Sequence, residues 1–298
     1  MNPRPSASPA TQPLDRRGLS RALVLTALVL AGALGPSEAL GARPARTPSV
    51  AGDPVELTIY AAASTRDVLA ALDAKYTKEH AVKFVFNFGS SGDLSKQIVA
   101  GNKADVFLSA DEKEMDRVAD EKLLLDGSRK ALLSNQLVVI EPLDPEKPAA
   151  SLFTKPFAAE QLARAEIKLL SLANTETVPA GRYAKEWLDK KGQWAAVKER
   201  VLPGVDVSAA LAAVESAGAQ AGIVYRTDAA RSKKVRVVFA VPLEEGPKIT
   251  YPVAVLKDRP HVAEAKAFVE YLGGPAAREV FEQDGFIVVE PKPAPEKK

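Results

Sequence analysis

Apolar positions along this chain switch repeatedly between two spacings. Leu57–Ala61 (LTIYA) is a short apolar run that predicts a strand. Over Ser64–Lys78 the apolar residues fall about four apart, with Val68, Leu72 and Tyr76 on one face and Leu69 beside them, which predicts a helix. Val82–Phe88 reads as a second strand, Ser91–Ala100 as a helix with Leu94 and Ile98 on one face, and Val106–Leu108 as a short buried strand. Asp111 is placed to cap a helix that carries Met115 and Val118. The alternation predicts a parallel sheet covered by helices.

A second series follows a strand at Leu137–Ile140, which Glu141-Pro142 is expected to end. It reads as a strand at Ile167–Leu172, helices at Ala180–Lys191 and Ala209–Ala217, and a strand at Gly222–Tyr225. Val235–Ala240 and Tyr251–Leu256 read as strands. Val262–Leu272 reads as a helix whose apolar face holds Val262, Ala265, Phe268 and Leu272, and Pro275–Gln283 as a helix with Pro in its first turn. Two α/β lobes are therefore expected, each a mostly parallel sheet flanked by helices. The first lobe would comprise 55–139 and 237–290, and the second 140–236, with crossings near Leu137–Pro142 and Val238–Pro242.

The N-terminus breaks this alternation. Residues 1–21 are polar and carry Arg4, Arg16, Arg17 and Arg21, and Ala22–Leu34 (ALVLTALVLAGAL) is almost wholly apolar. A spanning helix needs about 20 apolar residues, so the run is too short to cross a bilayer. Positive flank, short apolar run and small residues beyond it predict a secretory signal at 1–41, cleaved near Gly41–Ala42. Arg16-Arg17 raises the twin-arginine route, but Gly18-Leu19-Ser20 matches it loosely, and the general route is expected. No Cys follows the run to carry a lipid. A Pro-rich linker at 42–54, a disordered tail at 291–298 and a periplasmic mature chain complete the expectation.

Composition narrows the chemistry. The chain has 298 residues, no Cys and two His, His80 and His261, far apart in sequence, so thiolate metal sites, Cys nucleophiles and a His-rich metal site are excluded. The formal net charge is +2, and residues 1–41 carry four Arg against Asp15 and Glu38, so the remainder is neutral and nucleic acid is not an expected partner. Gly89-Ser90-Ser91-Gly92 is not a nucleophile elbow, because Asp93 stands where the second Gly would be needed. Neither His has a triad context, and dinucleotide and phosphate-loop glycine patterns are absent. No enzyme activity and no cofactor are expected.

The residues that open the helices are small and polar. Ala61-Ala62-Ala63-Ser64 leads from a strand into one helix, Gly89-Ser90-Ser91-Gly92 into the next, Val178-Pro179-Ala180-Gly181 into a third and Asp206-Val207-Ser208 into a fourth. A helix start presents free N–H groups and about half a positive charge, so it can bind an anion without Lys or Arg. Each Ser taken singly is equally an ordinary N-cap, and spacing alone does not bring the four together.

These stretches also carry a resemblance. YAAAS at 60–64, FGSSGDLSKQI at 88–98, ADVFLSADEKEMD at 104–116, VPAGRYAKE at 178–186, DVSAALAAVE at 206–215, GIVYRTDA at 222–229 and YPVAV at 251–255 resemble, in order and spacing, the periplasmic molybdate-binding proteins of ATP-driven importers. The resemblance spans about residues 56–289. It implies the two-lobed periplasmic binding protein fold, a monomer with its ligand cleft between the lobes. The implied ligand is a tetrahedral dianion, molybdate or tungstate, and the implied partner is the membrane permease of an ABC transporter. It also implies an anion shell of Ser64, Ser91, Ala180, Val207 and Tyr225, which contact the molybdenum oxyanion and not a bare cation. Arg66, Arg182 and Asp93 depart from the family pattern. Each Arg is open to two readings, a charge at the cleft mouth or a charge in the site, and Asp93 is expected to act on its helix start. A regulatory effector-binding domain would share the fold but lacks a DNA-binding segment, and another oxyanion such as sulfate is the remaining alternative.

Overall fold

The computed structural model describes residues 53–101, 103–147 and 149–290. The expected signal at 1–41, most of the linker at 42–54 and the tail at 291–298 lie outside the described residues. Among the described residues the strands form two sheets. The first is built from β1 (Val55–Ala62), β2 (Val82–Gly89), β3 (Val106–Leu108), β4 (Lys130–Ser134), β10 (Tyr251–Val255) and β11 (Ile287–Val288), in the order β11-β4-β10-β3-β1-β2. The second holds β5 (Leu137–Pro142), β6 (Leu170–Ala173), β7 (Val201–Gly204), β8 (Ala221–Tyr225) and β9 (Val235–Ala240), in the order β7-β6-β8-β5-β9.

Helices α1 (Arg66–Tyr76), α2 (Ser91–Val99), α3 (Glu112–Asp120), α8 (Val262–Leu272) and α9 (Pro275–Gln283) belong with the first sheet. Helices α4 (Pro179–Lys190), α5 (Trp194–Val197), α6 (Val207–Glu215) and α7 (Arg226–Arg231) belong with the second. The continuous apolar run of β1 follows from burial on both faces. Leu57, Ile59 and Ala61 join the main core with Val68, Leu69 and Leu72 of α1, whereas Tyr60 turns the other way, onto Leu94, Ile98, Phe107, Met115 and Val118.

The two-lobed α/β architecture is the one expected, but the sheets are mixed. β1–β2, β1–β3, β6–β7 and β6–β8 are parallel, whereas β10 pairs antiparallel with β3 and β4, and β5 with β8 and β9. β5 and β10 are the strands with which the chain begins its second sheet and returns to its first. The expected lobe boundaries at 139/140 and 236/237 are displaced for the same reason. β5 and β9 pair along their lengths, with Val138 opposite Ala240 and Val139 opposite Phe239, so both strands stand in the second sheet. The crossings are residues 135–136 and 241–250.

Candidate functional site

Four chain segments converge on one small cavity, each arriving from the carboxyl end of a parallel strand, where open α/β sheets bind ligands. β1 runs into a 3-10 turn at Ala63–Thr65, and β2 into α2. In the second lobe β6 leads to α4 and β7 to α6. The cavity is small, and its wall includes Ser64, Ser91, Ala180, Val207 and Tyr225. All five expected residues are buried, and all five meet here. A larger groove of about 1190 Å³, lined by side chains of both charges such as Asp111, Arg129, Arg182 and Glu186, contains none of them.

The wall holds no Lys, Arg or His. What it offers is hydrogen-bond donors. Ala180 and Val207 lie in the first turns of α4 and α6, where an N–H has no acceptor within its own helix. Pro179 opens α4 at no loss, since its missing N–H would have been one of the free ones. Asp206 is the acidic residue on the wall, and its Oδ1 accepts from Ala209 N–H at 2.8 Å, capping α6.

The hydroxyls are arranged to donate. Ser91 Oγ accepts from Ala110 N–H at 3.0 Å, a group that can only donate, so the hydrogen of Ser91 is left for another partner. Ser64 Oγ shares a 3.0 Å bond with the Tyr251 hydroxyl. Tyr225 Oη is fully buried without a hydrogen-bond partner among the described residues, and burial pushes its phenol well above the ordinary range, so it keeps its proton. A buried polar group without a partner is costly and calls for an account. An acceptor in the cavity would supply one.

The lobes meet around this cavity. Ser90 caps α2 and also donates from Oγ to Thr177 O of the other lobe at 3.2 Å. A Cβ on Gly92 would stand 2.1 Å from that same Thr177 oxygen, so only glycine allows α2 to approach so closely. Arg231 of α7 reaches into the first lobe, to Asp67 at 2.9 Å, Asp284 at 2.7 Å and Ser64 O at 3.1 Å.

Arg182 of α4 follows neither of its two readings. Its guanidinium bonds Asp111 and lies 3.0 Å from Glu114, both in the first lobe, with its side chain largely buried. Burial alone would raise the Glu114 carboxyl, but Ser95 at 2.6 Å, Arg117 and Arg182 together hold it below its ordinary value. Burial keeps Asp111 raised despite Arg182. Arg66 instead is exposed, with its guanidinium 4.5 Å above the Phe88 ring. Asp93 is exposed beside Lys96 at 3.6 Å, and Ser90 is the residue that caps α2. Ser90, Gly92 and the Arg182 pairs do not stand out in the sequence as functional. A polar pair pointing between lobes leaves no periodic mark on a sequence.

Asp228, in the first turn of α7, is buried with Oδ2 lacking a partner. Burial raises its carboxyl from 3.8 to about 7, Arg231 and the Tyr225 N–H lower it, and Asp206 and Asp284 add to the rise. The native state therefore holds a proton that the unfolded chain has lost, and stability falls as pH rises from about 4 to 7. Asp228→Asn is expected to flatten that slope and raise stability at pH 8 by up to about 4 kcal/mol. Denaturant melts at pH 4.5 and 8 check it; parallel slopes in the two proteins would refute the assignment.

Comparison with known proteins agrees with this geometry. The family model described as bacterial extracellular solute-binding protein matches residues 57–287. The molybdate-binding protein ModA of Escherichia coli is 39% identical over 236 residues, 79% of this chain and 90% of the relative. The Haemophilus influenzae ModA is 35% identical over 264 residues, 88% of this chain and 96% of its own. A solved periplasmic molybdate-binding protein of Azotobacter vinelandii superposes with a TM-score of 0.68 over 78% of this chain and all of the other, at 23% identity, which speaks for the fold. With a family match across almost every described residue and relatives this similar over most of both lengths, the chain belongs to the bacterial extracellular solute-binding proteins, the family that includes the ModA molybdate-binding proteins.

Proposed function

We propose that this chain binds molybdate or tungstate between its lobes in the periplasm and hands the anion to the permease of an ABC transporter. It acts as a monomeric carrier, without catalysis and without a resident cofactor. The observation that supports this best is the cavity wall, which combines hydroxyls and helix-start N–H groups with no cationic side chain. Oriented dipoles replace the hydration shell of a dianion, and the two helix starts of the second lobe add their partial positive charge. The anion takes donors from both lobes, so it binds best when the lobes are together and shifts the population toward that arrangement.

A wall of donors also implies selectivity. A protonated anion such as hydrogen phosphate brings an O–H for which the wall offers one carboxylate, Asp206, already capping α6 through Oδ1, and a buried unmade hydrogen bond is strongly disfavoured. Sulfate carries no proton but is smaller, and discrimination against it rests on size. In a thermal-shift screen, molybdate and tungstate are expected to raise the melting temperature, and sulfate and phosphate far less, because a ligand stabilises the state that it binds. Equal shifts with sulfate would defeat the selectivity. No shift with any oxyanion would defeat the reading as a whole.

A further inference from the structure

We propose that Asn135, in the first crossing between the lobes, and Tyr251, the first residue of β10 after the second crossing, are positioning residues that fix the Ser64 hydroxyl as a donor to the anion and thereby set discrimination against protonated anions. The proposal rests on the anion-binding reading above and extends it to residues outside the cavity wall.

The directions of the Asn135 hydrogen bonds can be worked out from one end. The Gln136 backbone N–H donates to Asn135 Oδ1 at 2.8 Å, which settles which side of the amide is oxygen. The other side, Nδ2, therefore faces Thr227 Oγ1 at 2.9 Å and Tyr251 Oη at 3.4 Å, and can only donate to both. Tyr251 Oη thus accepts from Asn135; in its 3.0 Å contact with Ser64 Oγ either oxygen can donate, and we assign the hydrogen of Tyr251 to Ser64 because Asn135 already occupies one acceptor position of Tyr251. Burial, joined by Asp228 once that carboxyl ionises, pushes the Tyr251 phenol up, so that hydrogen stays in place. Ser64 Oγ, accepting from Tyr251, has its own hydrogen left for the cavity that it lines. Asn135, Tyr251, Ser64 and Thr227 are all buried, so water does not compete for these bonds.

Ser91 receives the same treatment from Ala110 N–H, a backbone group that no substitution reverses. Ser64 is directed by side chains alone. Without them its hydroxyl could turn, accept from an anion's O–H and admit a protonated ligand. The relay also spans the lobes. Thr227 belongs to α7 of the second, Ser64 and Tyr251 to the first, and Asn135 to the crossing between β4 and β5.

The test is titration of the full mature chain with molybdate, and competition of bound molybdate by millimolar sulfate and phosphate at pH 6 and 8. Tyr251→Phe is expected to weaken molybdate about tenfold, since a hydrogen bond in a network to a charged group is disturbed. It is also expected to narrow the molybdate-to-phosphate ratio about tenfold, while the molybdate-to-sulfate ratio stays put, because sulfate has no proton to offer. Asn135→Asp reverses the relay: the carboxylate takes the Tyr251 hydrogen, Tyr251 accepts from Ser64, and Ser64 no longer donates to the anion. Its molybdate affinity is expected to fall further than that of Tyr251→Phe. Ligand-free melting curves report folding for each variant. If Tyr251→Phe changes all three anions alike, or Asn135→Asp binds molybdate as wild type does, the proposal is overturned and the binding reading stands. If wild type takes no molybdate, both fall.

Discussion

Ser91→Ala is expected to weaken molybdate binding by about 10–100-fold, the loss of one hydrogen bond to a charged acceptor at roughly 1.5–3 kcal/mol. The hydroxyl lines the cavity with its acceptor position taken by Ala110 N–H, so the whole of its donor capacity is available to a ligand. Stability should fall as well. Alanine leaves the buried Ala110 N–H without an acceptor, which costs about 1–3 kcal/mol. The helix cap survives, because Ser90 supplies it. Calorimetric titration and a ligand-free melt separate the two effects. Affinity within threefold of wild type would remove Ser91 from the anion shell, whatever the melt showed.

How much of this was legible beforehand depended on whether a feature is local in the chain. The strand–helix alternation of the first lobe was readable because each element carries its own apolar period, and Asp111 caps its helix as its position predicts. β7 was not readable. Its four residues, VLPG, hold no apolar run long enough to announce a strand, and they form one at a sheet edge, where Pro has no ladder bond to lose. β4 (KALLS) presents two buried apolar residues and no alternation long enough to register. α7 follows β8 without an intervening loop, so no turn residue announces it.

The site divides in the same way. Ser64, Ser91, Ala180, Val207 and Tyr225 could be named from the sequence because each lies in a stretch that resembles a known family, and the fold then gathers them at one cavity. Asn135 and Tyr251 could not be singled out. Asn135 is 116 residues from Tyr251 in the chain, and Tyr251 is 187 from Ser64, so neither bond leaves a local pattern. Arg182 stands out in the sequence beside Ala180, but its partners do not, since Asp111 reads as a helix cap and does that as well.

Those partners lead to the second large effect. Arg182→Gln is expected to weaken molybdate binding by roughly 30–150-fold, about 2–3 kcal/mol. Removing one member of a buried ion pair typically costs about 3–5 kcal/mol, because the remaining charge is stranded away from water. Here the figure is discounted, since Glu114 keeps Ser95 and Arg117, and Asp111 keeps the Glu114 N–H on Oδ1. The stranded charge exists when the lobes are together, as Arg182 comes from one and both acids from the other. With the lobes apart, Asp111 is expected to regain water, and Glu114 keeps its own-lobe partners Ser95 and Arg117. The penalty therefore falls on closure and so on affinity, more than on folding. Arg66→Gln is the control: that side chain lies exposed on Phe88 and should change affinity less than about fivefold, as charges at a rim do. Titration of both variants, with scattering in the presence and absence of molybdate, distinguishes the cases. Equal affinities for the two variants, or undiminished compaction in Arg182→Gln, would show that Arg182 does not hold the lobes together.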